Sequence, residues 1–341
     1  MISAEQAVDP VVAVAHELLG ARADLIEPVR GGRNSRVYRV EIGGRRFALK
    51  RYPSRAEDPR DRLACEAEAL RLMAAHGLSS VPRLIAVTRE RNFALLSWLD
   101  GAPVTHVDDS AVDQATDFIG TIHELRRGAA TEFHRSAAEA CLSGQEIEAQ
   151  IRRRLAALHA ECGSEASLVS FLKESFEPLL GHLIADARAR MAAVGLDFSG
   201  TLSQEKRSLI PADFGFHNSL RRTDGTLVFL DFEYFGWDDP VKLTADVLHH
   251  PGTPMGPAQS SRFRSAALDI YGEDASFGAR LEALYPLFGL RWALILLNEF
   301  LPHRWRLRVA AGELDTWAQA KTRQLSRARE LVARTERMAN G

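Results

Sequence analysis

The hydrophobic pattern changes period near residue 100, and that change restricts the fold more than any other feature of the 341-residue chain. Before it, apolar and β-branched residues alternate in short runs, the spacing of strands whose side chains point to opposite faces. Leu25–Arg30, Arg36–Ile42 and Arg46–Tyr52 are three such runs, with Gly43-Gly44 as the tight turn between the last two. From Asp58 to His76, Leu63, Leu70 and Met73 fall at helical spacing, and Gly77 ends the segment. Arg83–Val87 and Phe93–Trp98 read as two further strands, closed by an Asp100-Gly101 turn. After that, helices dominate: Ser110–Arg127, Gly144–Cys162, Ala166–Val194, Pro257–Tyr271, Phe277–Phe300 and Leu314–Met338. One irregular island, Leu209 to Pro240, reads as strand, polar loop, strand (Thr226–Leu230) and acidic turn. The expected class is α+β and bilobal: a small antiparallel-sheet lobe over 1–99 and a larger, mostly helical lobe over 100–341. Ligands are expected between the lobes.

Charge and cysteine content remove several alternatives. The formal net charge is −2, and the Arg152–Arg154 run and the Arg-rich C-terminal segment carry interspersed Glu. No strongly basic face stands out, so a nucleic-acid partner is not expected. Cys65, Cys141 and Cys162 are far apart and form no C-x-x-C, which argues against a zinc site or a disulfide framework. The first residues lack a basic segment followed by an apolar run, and the longest apolar stretch, near Trp292–Leu297, is short for a bilayer. No membrane association is expected.

Four groups of residues can carry chemistry. Gly31-Gly32-Arg33-Asn34-Ser35 lies between two strands, where glycines let backbone N–H groups approach a phosphate; alone it also reads as a plain hairpin. Lys50 ends the alternating strand that follows, within reach of such phosphates or simply at the surface. Glu66 and Glu68, on the next helix, are its possible ion-pair partners. They face different ways, and spacing does not choose between them. Asp213-Phe-Gly-Phe-His-Asn218 pairs a carboxylate, suited to accept a hydroxyl proton, with an amide oxygen suited to a hard cation, although Asp and Asn also favour turns. Asp231-Phe232-Glu233 follows the strand Leu227–Leu230, a common way to present a metal-binding carboxylate. Their order is that of kinase-type phosphoryl transfer: Gly-rich turn, strand lysine, helix glutamate, Asp-x4-Asn, strand-Asp.

In these motifs the sequence resembles the aminoglycoside phosphotransferase and choline kinase-like family. The resemblance runs from about Glu27 to Asp246 and more weakly through the C-terminal helices. It covers Gly31-Gly32-Arg-Asn34-Ser-Arg-Val-Tyr38-Arg-Val40, Lys50, Glu66 four residues before Leu70, Asp213 with Asn218, and Asp231, Glu233, Asp239, Pro240 and Asp246. It implies a protein-kinase-like fold, with ATP or GTP under the Gly31–Ser35 turn and against a hinge near Leu96–Leu99. Gly31, Gly32, Asn34, Ser35, Lys50 and Glu66 would hold the nucleotide. Asn218 and Asp231 would hold Mg²⁺, and Asp213 would be the base. It favours Glu66 over Glu68. The family usually opens the catalytic loop with H-G-D, where this chain has Pro211-Ala212-Asp213, and places Gly before the asparagine, where this chain has His217.

The expected activity is transfer of a γ-phosphoryl group to a hydroxyl of a small molecule: a sugar-like or amino-alcohol metabolite, or an aminoglycoside. The expected compartment is the cytoplasm, where a triphosphate is available. The alternative is a non-catalytic nucleotide-binding module of the same fold. Absence of H-R-D and A-P-E argues against a protein kinase. Candidates for the acceptor side are Asp238 and the cluster Glu299, His303, Arg304 and Trp305, the tryptophans also reading as packing residues. His123, in Gly120-Thr-Ile-His123, reads as a core residue.

Overall fold

A computed structural model describes residues 10–29, 35–129, 133–253, 255–310 and 315–340. The N-terminal part is one antiparallel sheet in the order β1-β2-β3-β5-β4, built from β1 (Leu25–Val29), β2 (Arg36–Ile42), β3 (Arg45–Arg51), β4 (Leu84–Thr88) and β5 (Phe93–Ser97). Alternation along the strands sorts its two faces. Phe47 and Leu49 of β3 join Phe93 and Leu95 of β5 under helix α1 (Pro10–Leu19), packing on Val11, Val14 and Ala15. Ala48, Ala94 and Leu96 turn to the opposite face, with helix α2 (Arg62–Ala75). Lys50 pairs with Ala94 across the sheet, so strand period alone sends the lysine toward α2. Asp61 caps α2 by accepting from the Ala64 N–H at 3.1 Å.

The remainder is helical apart from short strand pairs: α3 (Asp109–Ala129), α4 (Gly144–Glu161), α5 (Ala166–Phe171), α6 (Glu177–Ala193), α7 (Pro240–His249), α8 (Pro257–Ile270), α9 (Phe277–Leu296), α10 (Pro302–Ala310) and α11 (Trp317–Asn340). The single helix expected over Ala166–Val194 is continuous but carries a π-helical turn, Leu172–Phe176, between α5 and α6. The sequence reading missed α1, α7 and α10. The island between α6 and α7, β7 (Ser208–Ile210), β8 (Ser219–Arg221), β9 (Leu227–Phe229) and β10 (Gly236–Asp238), forms two small sheets, β7-β10 and, with β6 (Ala102–Pro103) from before α3, β6-β8-β9. Chain passes so close to Gly236 that a Cβ there would sit 2.4 Å from the Ala137 nitrogen, so no larger residue fits in β10 at that point.

Helix α9 with its 3₁₀ extension, Phe277–Phe300, is the one described helix long and apolar enough to cross a membrane, but 67% of its most apolar window is buried inside the protein. It packs on α4, α6, α7 and α11 and carries two buried arginines. Arg280 grips Asp239 with two bonds of 3.0 Å. Arg291 donates to Asp246 at 3.0 Å and to Gln150 at 2.9 Å. Asp239 also caps α7 through the Val241 N–H, with Pro240 in the first turn. These bonds pin the start of α7, and with it the island, to the helical core.

Two core histidines give the fold an acid-sensitive component. His123 contacts Ser208 Oγ at 2.9 Å and His249 contacts the Tyr285 carbonyl at 3.1 Å. Burial, above all, holds both imidazoles down at about 4. The unfolded chain takes up these protons near pH 6.5. Their contribution is therefore complete above that pH, declines as pH falls, and is gone near 4. Each histidine contributes at most about 3 kcal/mol across the window. Urea unfolding followed between pH 7 and 4.5 is expected to show falling stability, with a shallower slope for His123→Asn. An unchanged slope in that variant would show that His123 titrates alike in both states.

Candidate functional site

Three segments distant in sequence converge on one ammonium group. Lys50 Nζ lies 2.6 Å from Glu66 Oε2, 2.7 Å from Asp231 Oδ1 and 3.3 Å from Glu233 Oε2. The residue is 5% exposed. Burial works to lower its pKa, but the carboxylates, Asp231 foremost, outweigh burial and hold it well above its ordinary value. Glu66 is itself fixed: Tyr52 donates its hydroxyl to Oε2 at 2.7 Å, and the Phe232 N–H donates to Oε1 at 3.2 Å. Glu68, the alternative on the same helix, instead binds Arg135 with two bonds of 2.5 and 2.8 Å. The structure thus brings Lys50, Glu66 and Asp231 together and sends Glu68 elsewhere.

Glu233 is the second centre. Its side chain is fully buried and receives Ser35 Oγ and Arg62 Nη1, both at 2.7 Å. Arg62 is held in turn by Asp58, four residues earlier. Burial pushes Glu233 up, but Lys50, Arg62 and the Ser35 bond bring it below the usual range. Asp231, whose side chain is 28% exposed, is the least compensated member. Burial, with Glu233 and Glu66 adding to it, raises it to about 7 against the pull of Lys50. Three carboxylates share two cations here, and one of those cations also serves Asp58. That residual negative charge on a partly exposed oxygen donor fits a hard divalent cation.

The second loop lies alongside. Asn218 is joined to the Asp231 strand by the Leu230 N–H donating to its carbonyl at 2.9 Å. Its side-chain nitrogen donates to the Asp213 carbonyl at 2.9 Å, which leaves the amide oxygen as the ligand atom. Ala212 and Asp231 both have left-handed backbones, φ 47° and 69°. Such conformations in non-glycine residues cost of order 1–3 kcal/mol, and here each sits in a loop that presents a carboxylate. Asp213 Oδ1 lies 3.2 Å from His217 Nε2. Burial raises Asp213, but the hydrogen bond from His217 and the nearby Lys242 outweigh it, so the carboxylate stays ionised at neutral pH.

Asp213, His217 and His250 offer ligand atoms within 4.8 Å of one another. The two rings stack at 3.8 Å and 13°, however, and His250 Nδ1 accepts the Gly252 N–H at 3.0 Å. An ion in the plane of one ring would lie out of the plane of the other, so the pair reads as packing.

Gly31, Gly32 and Asn34 lie outside the described residues. Four of the five acceptor candidates have other partners, and Arg304 is exposed. Asp238 is buried, accepting the Cys141 and Asp239 N–H groups at 2.8 Å each. Glu299 binds Arg308 at 2.7 Å, His303 lies 3.7 Å from Glu161, and Trp305 stacks on Trp317. A cavity of about 660 Å³ lined by His123, Arg126, Lys206 and Tyr271 shares no residue with the Lys50 cluster. Sequence reading did not assign Tyr52, Arg62, His217 or His250. Only Arg62 left a local signal, its i,i+4 spacing from Asp58.

Residues 25–272 match the profile of the phosphotransferase enzyme family. No curated protein sequence matches. The fold is similar to that of choline kinase LicA from Streptococcus pneumoniae, with a TM-score of 0.58 at 14% identity, covering 94% of this chain and 98% of that one. It is also similar to a spectinomycin phosphotransferase in complex with ADP and spectinomycin (TM-score 0.60, 12% identity, 96% and 99% covered). A third is the macrolide 2'-phosphotransferase MphH from Brachybacterium faecium (TM-score 0.54, 19% identity, 91% and 100% covered). These likenesses establish the expected protein-kinase-like fold, an antiparallel-sheet N-terminal part with a helical remainder.

The geometry makes Glu233 the tie between Ser35, α2 and the Asp231 loop. Replacing it with Ala leaves Arg62 and Lys50 short of a partner in a buried setting, a change expected to cost about 3–5 kcal/mol. Gln, which still accepts the Ser35 bond, should cost less. Urea denaturation of both variants tests this, and an Ala variant as stable as the parent would refute it.

Proposed function

The chain belongs to the phosphotransferase enzyme family, and we propose that it transfers the γ-phosphoryl group of ATP or GTP to a hydroxyl of a small molecule. The observation that carries the proposal is the meeting of Lys50, Glu66 and Asp231 beside the Asp213–Asn218 loop. A charged lysine held by acidic neighbours is positioned to bind phosphate oxygens, and Glu66 sets its direction. Ser35, anchored by Glu233, fixes one end of the turn that would cover the phosphates. Mg²⁺ bound through Asp231 and the Asn218 amide oxygen would neutralise charge on the transferring phosphate. Asp213, ionised at neutral pH, would orient the acceptor hydroxyl and take its proton. Charge stabilisation and positioning supply most of the acceleration, and the base adds roughly 10²–10⁴-fold.

The acceptor class follows the sequence reading: a sugar-like or polyol compound, an amino alcohol or an aminoglycoside. Among the structural neighbours, the choline kinase is named for an amino alcohol, while others are named for spectinomycin and macrolides. An ADP-release assay with Mg²⁺ and ATP or GTP against sugars, amino sugars, polyols, amino alcohols and aminoglycosides tests the proposal. One acceptor is expected to stimulate release. Asp213→Asn should lower kcat at least about 100-fold with little change in nucleotide affinity by calorimetry, and Asp231→Ala should abolish the Mg²⁺-dependent part of that affinity. Nucleotide binding with no acceptor-dependent release from any compound would favour the non-catalytic module.

A further inference from the structure

We propose that His217 is the positioning residue for Asp213, holding one carboxylate oxygen through its Nε2–H so that the other faces the acceptor hydroxyl. The inference rests on the phosphotransferase reading and adds a residue that the motif order did not assign. A carboxylate can only accept, so the 3.2 Å contact between His217 Nε2 and Asp213 Oδ1 requires the proton on Nε2. Nδ1 is buried and has no hydrogen-bond partner among the described residues. A proton there would be an orphaned buried donor, an expensive arrangement, so the ring is fixed as the Nε2–H tautomer by its surroundings.

The ring is also held in place mechanically. One face stacks on His250 at 3.8 Å, and His250 meets Trp292 edge-on at 4.6 Å. Trp292 donates its Nε1–H to Asp246 at 2.7 Å, and Asp246 is bound by the buried Arg291 of α9. Two glycines make room for the pair. A Cβ at Gly215 would lie 2.9 Å from His217 Nδ1, and one at Gly252 would lie 2.9 Å from His250 Cε1 and 3.2 Å from His217 Cβ. An imidazole clamped on one face, with its donor aimed at the carboxylate, restricts the Asp213 side chain. A reacting group displaced by about 1 Å loses on the order of 10²-fold in rate.

Amide side chains separate this role from packing. Glutamine places its side-chain nitrogen near the imidazole Nε2 position, whereas asparagine places its own near Nδ1. With MgATP and the most stimulating acceptor of the panel, His217→Ala is expected to lower kcat by about 10–100-fold with the KM for ATP little changed. His217→Gln should recover most of that loss and His217→Asn should not. Equal activity of the Gln and Asn variants, or an Ala variant with parental kcat, would overturn the proposal. A second readout needs no acceptor: long-range ¹⁵N imidazole spectra of the full chain should show His217 as the Nε2–H tautomer, perturbed in Asp213→Ala. The Nδ1–H tautomer, or a spectrum indifferent to Asp213→Ala, would sink the proposal whatever the turnover. A parental enzyme that transfers phosphate to nothing would instead count against the phosphotransferase reading.

Discussion

The burial of one ammonium group organises the site. An unpaired buried charge is prohibitively costly, and removing one partner of a buried pair costs several kcal/mol. Lys50 therefore exists in its position only because α2 and the loop after β9 bring Glu66, Asp231 and Glu233 to it. The requirement runs the other way as well. Glu66 also accepts the Phe232 N–H, and Cys65 Sγ approaches the Phe235 carbonyl at 3.2 Å, so α2 grips the loop through backbone as well as charge. The sheet, its helix and the acidic loop form one electrostatic unit with more acid than base, and its surplus charge is on the carboxylate nearest solvent.

That unit needs a rigid base in the helical part. The base is a second set of buried charges, around Asp239 with Arg280, and around Asp246 with Arg291, Lys242 and Trp292. These pairs are an unusual way to build stability, since matched apolar residues often serve as well. What they offer is geometry. An aspartate that both caps α7 and receives a two-bond arginine from α9 can sit in only one place, and the Asp231–Asp238 loop leads directly into it. The apolar length of α9 is consistent with this: it is a core helix whose two buried arginines are committed to acidic partners on neighbouring elements.

Much of this was legible in the sequence for identifiable reasons. Period-two alternation gave the five strands to within a residue or two, because one face of each must meet a helix. Lys50 was readable because the strand period fixes which way the end of β3 points, and Asp231 because it follows an apolar strand, Leu227–Leu230 in the sequence reading. Glu66 and Glu68 were not separable by spacing, since the choice depends on Arg135, almost seventy residues away. Helix α7 was missed although Asp239-Pro240 is a good helix start, because those residues had already been read as part of the acidic loop. Strands β8 and β10, three residues each, are too short for any period to show. Helix α10 is nine residues of basic and exposed apolar character without a core-facing stripe. Asp238 and Glu299, which look available in sequence, are buried, one accepting backbone N–H groups and the other binding Arg308.

His217 and His250 show where sequence reasoning meets its limit. They are thirty-three residues apart, and nothing in either segment announces that the rings stack. The two segments meet because the Asp213 loop and the end of α7 are both tied to the same framework, one through the β8–β9 pairing and the other through Asp246. The contact is thus a product of the buried charges rather than of local pattern. A line of contacts runs from Asp213 through His217, His250 and Trp292 to Asp246, and on to Arg291 in the core helix. Each link is short, and each member is at least partly buried. A carboxylate at the end of such a chain takes its position from the interior of the helical part, whereas Lys50 takes its position from the sheet. The site is therefore assembled from two separately anchored halves, joined by the Lys50–Asp231 pair, the Arg62–Glu233 pair and the Phe232 N–H on Glu66.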